Sequence, residues 1–181
     1  MDTTSIGIPI PDADPENRAP QLLAMALAIT ALFIGLRRVA MTANVVRSNT
    51  TMTALAELSR NVLNGRRYEF DVILRVTDSA AVSGAGEGIK VDLNGGTATV
   101  TDFWATFEIK DWGFSTLKHS TALATVASID AVGGGDGLVQ INGSFTASAD
   151  GTFIPRVAQA SHTSGSITVL EGSSISLQEA A

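Results

Sequence analysis

The side chains best suited to chemistry are few and scattered in this 181-residue chain. The only histidines are His119 and His162, and neither has a glutamate or a second histidine at metal-ligand spacing. Ser120 follows His119 directly, but neighbouring residues of a strand point to opposite faces, which argues against a nucleophile and base pair. The sequence therefore predicts surface histidines, no catalytic residue and no enzymatic activity.

Two glycine-rich stretches, 84–88 and 133–137, invite a phosphate-binding interpretation. Neither ends in the Gly-Lys-Ser or Gly-Lys-Thr of a P-loop and neither opens a helical pattern, so both are predicted as exposed loop tips. Scattered acids offer oxygen ligands for calcium, but they lack the order of a loop motif, and we expect no metal and no cofactor. The acids are Asp92, Asp102, Glu108 and Asp111.

The one concentration of aromatic side chains lies at residues 103–114 and includes Trp104 and Trp112. Core packing is the expected role of both tryptophans, because large aromatic side chains dominate the interiors of β domains. The alternative is a surface patch on which the two tryptophans bind a glycan.

The composition predicts one β-rich domain with an appended element. The 17 glycines and the low aromatic content of 6% suggest short strands joined by tight turns. Lys and Arg total 12 against 18 for Asp and Glu, so no basic surface can follow a phosphate backbone and nucleic acid is not an expected partner. The chain has no cysteine, which excludes disulfides and thiolate metal sites.

Residues 1–20 are predicted to form an extended arm without helix or ladder pairing, because four of the five prolines lie there. Ile6, Ile8 and Ile10 alternate with other residues in this arm, so one apolar edge can lie on a partner surface. We expect these isoleucines to anchor the arm, and a disordered terminus is the alternative interpretation.

Residues 21–43 are predicted to form an apolar oligomerisation helix. Large apolar side chains recur there at spacings of three and four, as in a heptad seam that packs against copies of itself. Burial of the seam contributes at most on the order of 10 to 15 kcal/mol per chain, which is enough to hold an oligomer. Three copies are expected because the flanks are also apolar. The seam residues are Leu22, Met25, Ile29, Leu32, Leu36 and Val39.

The same apolar stretch raises the alternative of a membrane anchor. From Leu22 to Leu36 it falls short of the roughly 20 residues that a helix needs to cross a bilayer. Acids also precede it where a signal peptide would carry cations. An oligomerisation helix is therefore the preferred interpretation.

Residues 44–181 are predicted to form an antiparallel β-sandwich or jelly-roll-like domain of about eight or nine strands. The strongest strand covers residues 67–77, where alternate side chains are apolar, and it follows an Asn64-Gly65 turn. The predicted fold is thus mainly β, preceded by the extended arm and one apolar α-helix.

Two further strand features follow from the pattern. The alternation breaks after Val100, which indicates a bulge or bend in that strand. Residues 138–147 and 152–159 are both strand-like and are separated by a short turn, so they are predicted to form a hairpin.

Three turn-and-strand patterns stand out in the β domain, at residues 64–72, 141–152 and 169–177. They resemble the C-terminal β modules of tailed-bacteriophage virion proteins, of the fibre and head-decoration types. In those modules a jelly-roll-like sandwich trimerises behind an N-terminal virion-binding arm and helix. The resemblance implies a trimeric capsid decoration, cement or head-spike protein in the virion, whose partners are its own copies and the major capsid protein.

The resemblance leaves two alternatives open. A short tail fibre has the same architecture and would recognise a host surface glycan through Trp104, Trp112 or the loop tips. The chain has no shaft or repeats, which favours a decoration or spike protein over a long fibre. The other alternative is a β domain anchored to a membrane by residues 22–36.

Overall fold

The chain is described by a computed structural model over residues 2–3, 9–10, 22, 25, 38–79, 88–111, 114–129, 135–161 and 165–180. Two compact units divide it, Met1–Arg37 and Arg38–Ala181. A 3₁₀ turn covers Ala56–Leu58. The strands are β1 Asp2–Thr3, β2 Pro9–Ile10, β3 Val39–Ala40, β4 Val45–Arg47, β5 Thr53–Ala54, β6 Arg60–Val62, β7 Arg67–Asp78, β8 Ile89–Asp92, β9 Val100–Asp111, β10 Phe114–Ser120, β11 Ala127–Ile129, β12 Asp136–Ala147, β13 Gly151–Phe153, β14 Arg156–Gln159, β15 Ile167–Val169 and β16 Ser174–Glu179.

In the N-terminal unit, β1 and β2 pair antiparallel, with Asp2 opposite Ile10. The prediction that the arm has no ladder pairing is wrong here, because Pro9 lies in a two-stranded edge where its missing N–H is tolerated. Leu22 and Met25 have helical backbone conformation. The other anchoring and seam residues of this unit lie outside the described residues, namely Ile6, Ile8, Ile29, Leu32 and Leu36.

Within the residues that are described, no helix is both long enough and apolar enough to cross a bilayer. Most of the stretch on which the membrane alternative rests, residues 22–36, falls outside them.

The predicted C-terminal end of the apolar helix is wrong. Val39 lies in a strand, β3, and pairs with Ile175 of β16. The chain resumes as β4, which pairs with β15. Val39 is β-branched and so favours a strand. Its pairing with β16 outweighs the heptad spacing that predicted a helix there. The β unit therefore begins at Arg38 rather than at residue 44, and Val39 is not part of a helical seam.

The second unit is an antiparallel β-sandwich, as predicted. Its eight-stranded sheet has the order β10-β9-β12-β7-β15-β4, and β16 joins β7 to β3. A four-stranded sheet has the order β11-β8-β14-β5, and β13 pairs with β6. Buried apolar side chains from these sheets form one core cluster.

Strand β7 runs through the middle of the large sheet and is paired along both edges, to β12 on one side and to β15 and β16 on the other. The prediction of a strand with one apolar face is confirmed, because the side chains of that face are all buried. The preceding turn is also confirmed, and Gly65 there has a φ of 75°, which favours glycine. The buried side chains are Tyr68, Phe70, Val72, Leu74 and Val76.

The predicted hairpin between residues 138–147 and 152–159 is wrong. Strand β12 lies between β7 and β9, whereas β14 pairs with β8 and β5. Both edges of β12 are occupied, so the chain crosses to the other side of the core. The ring of Phe153 then packs 5.1 Å from that of Phe70 and 4.8 Å from that of Phe145.

An ion pair between Asp92 and Arg156 joins β8 to β14, where the two residues lie opposite each other. The guanidinium donates to both carboxylate oxygens, from Nε to Oδ1 at 2.8 Å and from Nη2 to Oδ2 at 2.6 Å. Asp92 is fully buried, and the backbone N–H of Asn94 also donates to Oδ1. Hydrogen bonding to Asp92 raises the pKa of Arg156. The carboxylate of Asp92 therefore has a structural role in this ion pair.

Replacing one partner should show how much this ion pair stabilises the small sheet. We expect Arg156→Ala to lower the free energy of unfolding by roughly 3 kcal/mol, because the fully buried carboxylate of Asp92 then loses its counter-charge. The matched control, Glu179→Ala, breaks the exposed pair with Arg66 and should cost less than about 1 kcal/mol. Urea denaturation measures both, and equal costs would contradict a structural role for the buried pair.

Candidate functional site: an aromatic face beside a β-bulge

A β-bulge in β9 sets the geometry of the candidate site. Ser144 of β12 lies opposite Trp104 and Thr146 lies opposite Thr101, so two residues of β9 face the single residue Phe145 between them. One of these two, Asp102, has a φ of 52°, in the left-handed region that few residues other than glycine adopt. The bulge predicted from the break in alternation after residue 100 is confirmed.

The bulge decides which aromatic side chain enters the core. Strict alternation from Val100, which packs against the core, would send Trp104 inward and Phe103 outward. The extra residue reverses this assignment, since bulges re-aim the side chains that follow them. Phe103 is 6% exposed and Trp104 is 48% exposed. The expectation that Trp104 packs in the core is therefore wrong.

The indole of Trp104 stacks on the imidazole of His119, which comes from the neighbouring strand β10. Their ring centroids are 6.3 Å apart and the ring planes differ by 17°. His119 Nδ1 and Thr106 Oγ1 share a hydrogen bond of 3.1 Å, and the two residues are opposite each other in the ladder. The imidazole is thus held in place against the indole, and we call this stacked pair of rings the platform.

Polar and apolar side chains surround this platform on the outer surface of the large sheet. Asn142 lies opposite Thr106, and the small Ser144 lies opposite Trp104. Leu117 is 61% exposed on the same outer surface. Glu108 and Lys110 form an ion pair at 2.9 Å, so their charges offset each other. We call Trp104, Thr106, Leu117, His119 and Asn142 the aromatic face.

A separate groove of about 450 Å³ lies at the bulge, and none of the five residues of the aromatic face lines it. Its wall includes the bulge, and Trp104 follows directly on Phe103, which lines it. Its volume lies in the range of roughly 300 to 1,000 Å³ that is usual for ligand sites. Its polar lining is made of an amide, a carboxylate and hydroxyls, from Asn94, Thr99, Thr101, Asp102 and Thr121.

This arrangement suits binding of a sugar. The apolar face of a pyranose ring packs on an exposed indole, while hydroxyl, amide and carboxylate groups exchange hydrogen bonds with sugar hydroxyls. In the described part of the chain, no group of three or more His, Cys, Asp or Glu residues is placed to hold a metal ion.

The structure confirms the predicted orientation of His119 and Ser120, while two other candidate residues lie outside the described part of the chain. His119 is exposed on a strand and Ser120 is buried, so their predicted opposite orientation is confirmed. Trp112 and His162 lie outside the described residues. The Thr106 to His119 contact was missed, although it follows from the strand register once Asp111 is known to pair with Phe114.

No protein-family model matches the chain. A search of curated proteins also finds no match.

Glycine substitutions within the bulge and directly before it should separate the effect of backbone strain from that of added chain freedom. Thr101→Gly should destabilise the domain by about 0.5 to 1 kcal/mol, because glycine adds freedom to the unfolded chain. Asp102→Gly adds the same freedom but relieves a left-handed residue, so we expect it to cost about 1 kcal/mol less. Urea denaturation compares the two variants, and a larger loss for Asp102→Gly would contradict the strain argument.

Proposed function

We propose that the chain is a non-enzymatic virion structural protein, and that its sandwich is a jelly roll displayed by the N-terminal unit. The strand order carries this proposal. From β5 onward the chain alternates between the sheets: β7 lies in the large sheet, β8 in the small one, β9 and β10 in the large one, β11 in the small one, β12 in the large one and β14 in the small one.

This order matches the double Greek key of jelly rolls, an architecture of viral capsid and lectin domains. One sheet holds β11-β8-β14-β5 and the core of the other holds β10-β9-β12-β7. The strand order supports this class of protein by analogy of fold, and experiment identifies the partner. Capsid decoration or cementing acts through buried area and symmetry and needs no reaction chemistry.

The N-terminal unit is the proposed attachment and oligomerisation element. Its residues form a compact unit separate from the β domain. Leu22 is 44% exposed within the single chain, as expected of a seam residue whose partner is another copy. We propose that this seam forms a trimer and that Ile6, Ile8 and Ile10 contact the major capsid protein.

A charge in the seam should dissociate the oligomer. We expect the intact chain to have the mass of three copies in solution, and Leu32→Asp to have the mass of one folded copy, because the carboxylate would be buried against its symmetry mates. Light scattering gives the masses, and circular dichroism reports whether the β domain is folded.

Leu27→Asp is the matched control, because it changes the same residue type off the seam and should preserve the trimer. An unchanged mass for Leu32→Asp would contradict the seam and leave the helix to a partner or a membrane.

Recognition of a host surface glycan, as in a short tail fibre, is a second candidate function. The exposure of Trp104 favours it, because burying a large aromatic side chain is otherwise stabilising and the bulge instead turns it to solvent. Thr106, Asn142 and Ser144 on the same surface supply hydroxyl and amide groups for hydrogen bonds to a sugar. The two functions are compatible, since one protein can decorate a virion and bind a glycan.

Truncation of the platform should abolish binding without unfolding the domain. On an array of bacterial surface polysaccharides, we expect Trp104→Ala to lose at least about tenfold in affinity, since stacking on an exposed ring contributes on the order of 1 kcal/mol or more. Leu63→Ala removes another exposed apolar side chain, 55% accessible and outside this face, and should bind as the intact chain does. Equal loss in both variants, or none in either, would contradict glycan binding by this face.

A further inference from the structure

A second pocket, of about 250 Å³, lies at the opposite edge of the large sheet from the aromatic face. Its lining comes from β4 and the segment before it, and from β5 and the 3₁₀ turn. The buried side chains of Met41 and Leu55 give it an apolar floor. The charged groups on its wall are Arg47 and Glu57.

Arg47 is a partly buried cation on the wall of this pocket. Its Nη1 and Nη2 donate to the carbonyls of Val46 and Ala54 at 3.3 Å each, longer than the usual N–H···O distance. Its Nε is buried and has no hydrogen-bond partner among the described residues. No carboxylate in the described part of the chain forms an ion pair with it. Burial accordingly lowers the pKa of Arg47, which is the mark of an uncompensated charge.

Glu57 places a fixed negative charge on the same wall. Its Oε2 accepts hydrogen bonds from the backbone N–H of Thr42 at 2.8 Å and from the Thr42 hydroxyl at 2.9 Å. These bonds lower the pKa of Glu57, so its carboxylate is ionised at neutral pH. Among the described residues, no cation forms an ion pair with Glu57.

We propose that this pocket binds a small zwitterion of the α-amino acid class. The ligand carboxylate pairs with the planar fork of Arg47, the ammonium faces Glu57, and an apolar side chain rests on Met41 and Leu55. The volume is below the roughly 300 Å³ at which pockets for drug-sized ligands begin, which restricts the ligand to a few heavy atoms. A lone anion is repelled by Glu57 and a lone cation by Arg47, so both charges select the ligand.

Three probes of similar shape test the charge requirement on the full chain by isothermal titration calorimetry. L-leucine carries both charges, 4-methylpentanoate lacks the ammonium, and 3-methylbutylamine lacks the carboxylate. We expect leucine to saturate the site at millimolar concentration and each analogue to bind at least about tenfold more weakly. Equal affinity of leucine and either analogue would overturn the proposal. So would the lack of binding by leucine, valine and alanine at about 10 mM.

Substitutions locate the site. Arg47→Gln and Glu57→Gln should each weaken leucine binding at least about tenfold, and Arg47→Lys should weaken it less, because the charge remains but the fork is lost. Arg66→Gln, which changes an exposed arginine elsewhere, is the control and should bind as the intact chain does. Thermal melts check that each variant is folded. Unchanged affinity in either Arg47→Gln or Glu57→Gln would overturn the proposal, even if the other variant fails to fold.

Discussion

The extra residue at the β9 bulge determines which side of the large sheet each aromatic side chain of that strand faces. Phe103 turns inward, where its ring lies 6.1 Å from that of Phe70, and Trp104 turns outward. Strand β12 accommodates the irregularity with Gly143, because a Cβ there would come within 2.1 Å of the Trp104 carbonyl oxygen. A left-handed Asp102 and a glycine on the partner strand therefore place the indole on the surface.

The centre of the large sheet separates the two proposed binding regions. Strands β7 and β12 are paired with neighbours along both edges. Their backbone N–H and C=O groups are therefore hydrogen-bonded, which makes the centre of the sheet rigid. The aromatic face lies toward β10 and the zwitterion pocket lies beside β4. The aromatic face is built on strands, which holds its side chains in defined positions, whereas the pocket combines β4 and β5 with a 3₁₀ turn.

The sequence predicted the features that depend on local periodicity. A strand that buries one face has an apolar side chain at every second position. The apolar face of β7 and the break in alternation at the bulge could therefore both be predicted from the sequence. The break did not reveal whether Phe103 or Trp104 enters the core, because that depends on the register with β12. Arg47 and Glu57 line one pocket only because β4 and the 3₁₀ turn lie close together in the fold, for which no spacing pattern exists. The heptad spacing wrongly placed Val39 in a helix, because Val39 pairs with β16 as part of a strand.

The orientation of Trp104 can be measured directly in the Trp112→Phe variant, where Trp104 is the remaining tryptophan. Circular dichroism first confirms that the β domain is folded. We expect a fluorescence emission close to that of a solvated indole, strong quenching by acrylamide, and little change in emission when urea unfolds the chain. A blue-shifted emission protected from acrylamide, which moves to the red on unfolding, would place the indole in the core and contradict the proposed action of the bulge.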